Sequence, residues 1–152
     1  MRSLAPRTDR ARLARRVAIQ DDIPARGASG LDHGPTSARR VRVVLVEDLE
    51  PLRRLIVSAL AYEGIDVRGV GTVAEGIAAV SAGELDVLVT DQQLPDGTGH
   101  ELVKRARLVR PALKVICVSG SPQDGRAFDR VLEKPFDVSH LAAEIRALAA
   151  HD

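Results

Sequence analysis

Four apolar runs of the chain end in residues able to do chemistry. VLVT (87–90) runs into a carboxylate, Asp91, which is followed by two glutamines, a Leu-Pro and an Asp-Gly. VRVVLV (41–46) runs into Glu47 and Asp48. LKVICVS (113–119) closes on Ser119 with Gly120 behind it, and RVLEK (130–134) closes on Lys134 with Pro135 behind it. Taken singly, each has an ordinary explanation: an Asp at the end of such a run is most often a turn or cap residue. An acidic pair usually opens a solvated helix, and a lysine before proline is usually just exposed. Taken together they suggest one site. Three carboxylates brought close repel one another unless a cation joins them. All-oxygen donors suit a hard ion, Mg²⁺ before Ca²⁺ or Zn²⁺. Lys134 adds a point charge and Ser119 a hydroxyl. This is the equipment of a phosphoryl site, with Asp91 as nucleophile and the other groups neutralising charge on the equatorial oxygens.

The elements that must position these residues can be read from periodicity. After the strand at 41–46, PLRRLIVSALAYEG places Leu52, Leu55, Ile56, Ala59 and Leu60 at helical spacing, with Pro51 at its start and Gly64 at its C-terminal cap. IDVRGV is a short strand. TVAEGIAAVSAG opens with a capping box, Thr72 to Glu75, and puts Val73, Ile77 and Val80 on one face. DVLVTD is the next strand, and TGHELVKRARLVRP is a helix with a second capping box, Thr98 to Glu101, that stops at Pro111. LKVICVS and RVLEK are strands four and five. DVSHLAAEIRALAA is a last helix, capped by Asp137, with Leu141, Ile145 and Leu148 on one face. Strands that are apolar on both sides and alternate with helices predict a parallel sheet covered on both faces. Right-handed crossovers make it an open doubly wound sheet, which binds ligands at the carboxyl ends of its strands. That edge collects Glu47, Asp48, Asp91, Ser119 and Lys134. Cys117, on a strand, is expected to be a core filler.

Composition excludes several classes. The only aromatics are one Tyr and two Phe, too few for a base-stacking platform. The single cysteine rules out a disulfide framework and a multi-cysteine zinc site, and it suits the cytoplasm. No apolar run approaches a membrane span, and no secretory signal follows the first arginines. Residues 1–40 carry nine Arg against four Asp, whereas residues 41–152 carry thirteen Lys or Arg against seventeen Asp or Glu. The first 40 residues, with a Gly-, Pro- and Ser-rich stretch at 23–40, read as a flexible basic tail. A role with nucleic acid could reside only there.

VVLVEDLEPLRRLI, LVTDQQLPDGTGHELVKRAR, VICVSGS and VLEKPFDVSHLAAEIRA together resemble the receiver domain of two-component response regulators. The resemblance covers residues 41–150. It implies a flavodoxin-like, CheY-like sheet in the order 2-1-3-4-5. It also implies a phosphoacceptor at Asp91 and Mg²⁺ held by Asp48, Asp91 and the backbone carbonyl of Gln93, with Glu47 acting through water. Ser119 and Lys134 would bind phosphoryl oxygens, and the Lys134–Pro135 bond is often cis in this family. Gln93, Gly120, Ser121 and Val131 would tune the lifetime of the phosphoryl group. Leu49, Pro51, Leu52, Arg53, Pro135 and Phe136 would dock a sensor histidine kinase or a histidine phosphotransfer protein. The protein would then be no enzyme but a signalling domain with slow self-dephosphorylation.

The chain departs from the family pattern in two places. Val131 stands where many receivers carry Tyr or Phe, so the usual aromatic coupling is missing. Only the ten residues 120–129 join strands four and five, so the fourth helix is reduced or absent and phosphorylation is expected to order this loop. With the chain ending just after the last helix, the expectation is a stand-alone receiver without a DNA-binding output domain: a phosphorelay shuttle, a sink or a protein-contact switch. The alternatives are a receiver-like interaction module that is never phosphorylated, and a haloacid-dehalogenase-type phosphatase. The second needs an acid two residues after the nucleophile, where this chain has Gln93.

Overall fold

Short β-branched runs pair side by side when both of their faces can be buried. In the computed structural model, which describes residues 39–121 and 125–150, five of them form one parallel sheet. The elements are β1 (Arg42–Val46), α1 (Glu50–Tyr62), β2 (Asp66–Val70), α2 (Val73–Ser81), β3 (Val87–Asp91), α3 (Gly99–Val109), β4 (Lys114–Ser119), β5 (Arg130–Glu133) and α4 (Val138–Ala149). The strand order is β2-β1-β3-β4-β5, as expected, and every pair is parallel. The basic tail expected at 1–40 lies outside the described residues as far as residue 38. Arg39 is described, and its guanidinium grips Asp86 at 2.9 and 3.0 Å.

Alternation along the strands divides the core into two layers. Val43, Leu45, Val87, Val89, Ile116 and Val118 face α1 and α4, where they meet Ile56, Leu60, Leu141 and Ile145. Val44, Val46, Leu88, Val115 and Cys117 face α2 and α3, where they meet Val80, Leu102 and Ala106. Cys117 is the core filler expected, and burial pushes its thiol up to about 12, which leaves it inert. The sheet is thus held by apolar matter on both sides, with Thr90 and Ser119 as its buried polar residues near the strand ends.

The helix starts tie the loops down. α3 forms the expected capping box, with Glu101 N donating to Thr98 Oγ1 and Thr98 N donating to Glu101 Oε1, both at 3.1 Å. α2 forms only half of its box. Thr72 Oγ1 accepts from Glu75 N at 3.0 Å, but the Glu75 carboxylate reaches past Thr72 to Gly71 N at 2.8 Å. A second cap comes from outside the helix. Asp96, in the loop after β3, accepts from Val73 N at 2.7 Å and from Ala74 N at 3.0 Å. Within that loop Gln93–Leu94 and Gly97–Thr98 pair as a short antiparallel ribbon, which periodicity did not foretell.

The fourth helix is reduced to a 3-10 turn, Gly125–Ala127, among the described residues. Arg107 of α3 stitches it in place. Its guanidinium donates to Ala127 O at 2.9 Å, to Leu113 O at 3.0 Å and to Asp129 Oδ2 at 3.0 Å. Asp129 Oδ2 also accepts from Val115 N at 2.7 Å, so one ion pair joins α3, β4 and the short crossover.

The backbone N–H groups of Val73 and Ala74 hold the Asp96 carboxyl below its ordinary value of 3.8. A depressed carboxylate contributes stability above its unfolded value and loses it as pH falls through the folded one. Asp96→Ala is therefore expected to lower the Tm at neutral pH by an amount that stays constant on acidification. Melts of both proteins should converge only below the ordinary value of 3.8.

Candidate functional site

The parallel order sets the ends of β1, β3 and β5 along one rim, and their polar residues converge there. Asp91 is the last residue of β3. Its Oδ1 accepts from Gln92 N at 2.8 Å, and its Oδ2 receives Lys134 Nζ at 3.0 Å. Lys134 follows β5 by one residue, and its backbone N donates to Ser119 O at 2.8 Å, which anchors it beside β4. The Lys134–Pro135 peptide is cis. The ammonium also lies 3.6 Å from Glu47 Oε1. Glu47 follows β1 and is only 3 % exposed, and its other oxygen accepts from Leu49 N at 3.0 Å.

Glu47, Asp48 and Asp91 each offer a carboxylate oxygen, and these oxygens all lie within 4.8 Å of one another. Burial pushes the Glu47 carboxyl up, Lys134 pulls it back, and the Asp91 charge pushes it up again; the net direction is up. At an effective dielectric of about 20, two unit charges roughly 5 Å apart repel by about 3 kcal/mol. One ammonium cannot neutralise three such groups. The oxygen-only donor set, its spacing and its uncompensated charge fit a small hard divalent cation, and Glu47, Asp48 and Asp91 are the side chains that would hold it. Among the described residues this is the acidic cluster with metal-binding spacing.

The other candidate residues divide. Ser119 ends β4, is 3 % exposed, and its hydroxyl donates to Ser121 O at 2.9 Å. Gly120 and Ser121 are exposed, and a Cβ on Gly120 would meet nothing within 4 Å. Gln93 is exposed in the ribbon after Asp91. Val131 is half-buried against the α2–α3 layer. Leu49 is half-buried, and Pro51 and Pro135 are exposed near the rim. Leu52 and Phe136, expected to dock a partner, are instead core residues at 4 % and 6 % exposure, because their side chains turn into the α1–α4 layer. Arg53 is not a free docking charge either. It donates to Glu47 O at 2.8 Å and lies over the glycines of the β2 edge, where a Cβ on Gly71 would come within 2.9 Å of its guanidinium.

Sequence reasoning missed two residues around the site. Asp96 stands in an Asp-Gly step that by itself suggests only a turn, yet it caps a helix 23 residues earlier in the chain. The family pattern points to Gln93, yet the buried amide is that of its neighbour Gln92, at 5 % exposure. An Asp-Gly step and a pair of glutamines carry no periodic signal, so only the three-dimensional contacts reveal these roles.

A parallel five-stranded sheet with acids and a lysine at its carboxyl rim defines a class, and comparison with known proteins gives it a family. A model described as response regulator receiver domain matches residues 43–146, and the chain belongs to that family. It is 31 % identical over 139 residues to the transcriptional regulatory protein TcrA of Mycobacterium tuberculosis (strain ATCC 25618 / H37Rv), covering 86 % of this chain and 54 % of that protein. It is also 31 % identical over 114 residues to the response regulator receiver protein CpdR of Brucella abortus (strain 2308), covering 70 % of this chain and 95 % of that protein. A solved CheY-like receiver domain protein from Methanospirillum hungatei JF-1 superimposes with a TM-score of 0.68 at 26 % identity, covering 72 % of this chain and 94 % of that one. The chain spans about half the length of TcrA. Phosphorylation and Mg²⁺ binding are typical of the family. No helix among the described residues is long and apolar enough to cross a membrane.

A cation that binds the folded cluster and not the unfolded chain stabilises by mass action, by about 2.7 kcal/mol at roughly a hundred times its Kd. Mg²⁺ is therefore expected to raise the Tm by several degrees. In Asp48→Asn, melts recorded with and without Mg²⁺ should superimpose.

Proposed function

We propose that the chain is a phosphoacceptor that takes a phosphoryl group on Asp91 from the phosphohistidine of a sensor histidine kinase or a histidine phosphotransfer protein. One observation carries this reading. Asp91 sits at the end of a buried strand with one oxygen bridged to Lys134 at 3.0 Å and with Glu47 and Asp48 within 4.8 Å. A carboxylate oxygen of Asp91 attacks phosphorus. A P–O bond forms as the P–N bond to the donor imidazole breaks, and the leaving nitrogen keeps the electron pair. Lys134 Nζ, already at the carboxylate, pairs with phosphoryl charge as it arrives. Ser119 would exchange its bond to Ser121 O for one to a phosphoryl oxygen. Glu47, Asp48 and Asp91, with the Gln93 carbonyl, would hold Mg²⁺, which when bound supplies charge neutralisation at the transferring group.

The protein acts in the cytoplasm as a signalling module, not as an enzyme, and the aspartyl phosphate is lost by slow self-hydrolysis. Gln93, Gly120, Ser121 and Val131 would set that rate. The role is that of a single receiver, which works as a shuttle, a sink or a contact switch. The match to CpdR over 95 % of that protein supports this, whereas the match to TcrA covers 54 % of its length. Leu49, Pro51, Arg53 and Pro135 are the members of the expected docking set that are exposed or half-exposed, and Arg53 is already engaged with Glu47 O.

Incubation with Mg²⁺ and acetyl phosphate is expected to add one phosphoryl mass to the wild type and none to Asp91→Asn. Lys134→Ala should slow the gain by at least about tenfold, since it removes a charge-assisted contact worth roughly 1.5–3 kcal/mol. Mass gain in Asp91→Asn equal to that of the wild type would move the acceptor elsewhere.

A further inference from the structure

Gln92 follows the acceptor directly, yet its side chain is turned away from it and buried, 5 % exposed. A buried amide is costly unless its donors and acceptor are used. Gln92 Oε1 accepts from His100 N at 3.1 Å, and its backbone carbonyl accepts from Gly99 N at 2.9 Å. Its Nε2 lies 2.7 Å from His100 Nδ1. Because Oε1 is fixed by a backbone donor, Nε2 must be the donor to Nδ1. The ring nitrogen Nδ1 is then the acceptor of this bond. The ring is held in turn against Phe128, edge to face, with centroids 4.8 Å apart and planes at 61°. There is no slack in the contact. A Cβ on Gly99 would lie 2.8 Å from Asp91 O and 2.9 Å from Gln92 Oε1. The start of α3 is thus closed onto the two residues 91 and 92 as tightly as a backbone allows.

On the receiver reading, on which this inference rests, the next carbonyl along the chain, that of Gln93, completes the metal site. It sits between two anchored points: Gln92, latched to α3, and the pairing of Gln93 with Thr98. We propose that Gln92 and His100 are positioning residues for the divalent cation. Their side-chain hydrogen bond latches the loop after β3 to α3 and so sets where the Gln93 carbonyl stands. Neither side chain touches the cation. Phe128 braces the ring, and the short crossover it comes from is thereby in contact with the acceptor loop.

The test is calorimetric titration of MgCl₂ into the full chain at a slightly alkaline pH. Gln92→Leu and His100→Phe each remove the bond, the second while keeping a ring against Phe128. Each is expected to weaken Mg²⁺ by about three- to tenfold, the worth of one buried hydrogen bond. His100→Asn places Oδ1 where Nδ1 stood, so it keeps the acceptor and loses the ring; it should bind Mg²⁺ like the wild type. The double variant Gln92→Leu with His100→Phe should be no weaker than either single one, because both break the same contact. In the wild type, Mg²⁺ saturation should shift the imidazole nitrogen resonances of His100. If the two single variants melt earlier but bind Mg²⁺ as the wild type does, while Asp48→Asn does not bind, the latch is merely structural and the inference falls alone. It falls likewise if His100→Asn is as weak as His100→Phe, or if the His100 resonances stay in place. If the wild type binds no Mg²⁺, this inference and the metal site fall together.

Discussion

Three carboxylates crowded around one ammonium at the rim of a dry sheet set the terms for the rest of the molecule. Left in water, these groups would drift apart; packed at the ends of β1, β3 and β5, they cannot. Glu47 shows the cost most plainly, since burial and the neighbouring Asp91 both raise its carboxyl and Lys134 only partly offsets them. The scaffold answers with backbone donors. Leu49 N holds one oxygen of Glu47, and Gln92 N holds one of Asp91. Two apolar layers clamp the strands from either side, so electrostatic strain at the rim is borne by a core with no polar work of its own.

Around this rim the chain is not equally stitched. The loop after β3 is tied to two helices, through Asp96 to the start of α2 and through Gln92 to the start of α3. The β4–β5 side has a single 3-10 turn among its described residues and depends on Arg107 and Asp129 for its attachment. Val131 stands on that side, half-buried, and Phe128, three residues earlier, packs on His100. A change at Asp91 therefore meets Lys134 beside β5 directly, and reaches Phe128 only through Gln92 and His100.

Much of this could be read in the chain itself. The parallel sheet, the two-sided burial of the strands, the caps Thr72, Thr98 and Asp137, and the convergence of Glu47, Asp48, Asp91 and Lys134 all follow from periodicity and from where each apolar run stops, whereas the strand order came from the family resemblance. Those signals are local, and local patterns survive in one dimension because helices and strands repeat at fixed intervals. Contacts between distant segments do not. Whether Leu52 and Phe136 turn inward, whether Arg53 is spent on Glu47 O, and whether Asp96 caps its own helix or an earlier one are settled by packing. So is the choice of Gln92 over Gln93 as the buried amide. The sequence by itself determined the scaffold and the cast of charged groups, since burial periodicity needs no knowledge of neighbours. Only the tertiary structure decided which polar side chains serve the site and which serve the fold, since a hydrogen bond depends on two partners meeting within about 3 Å.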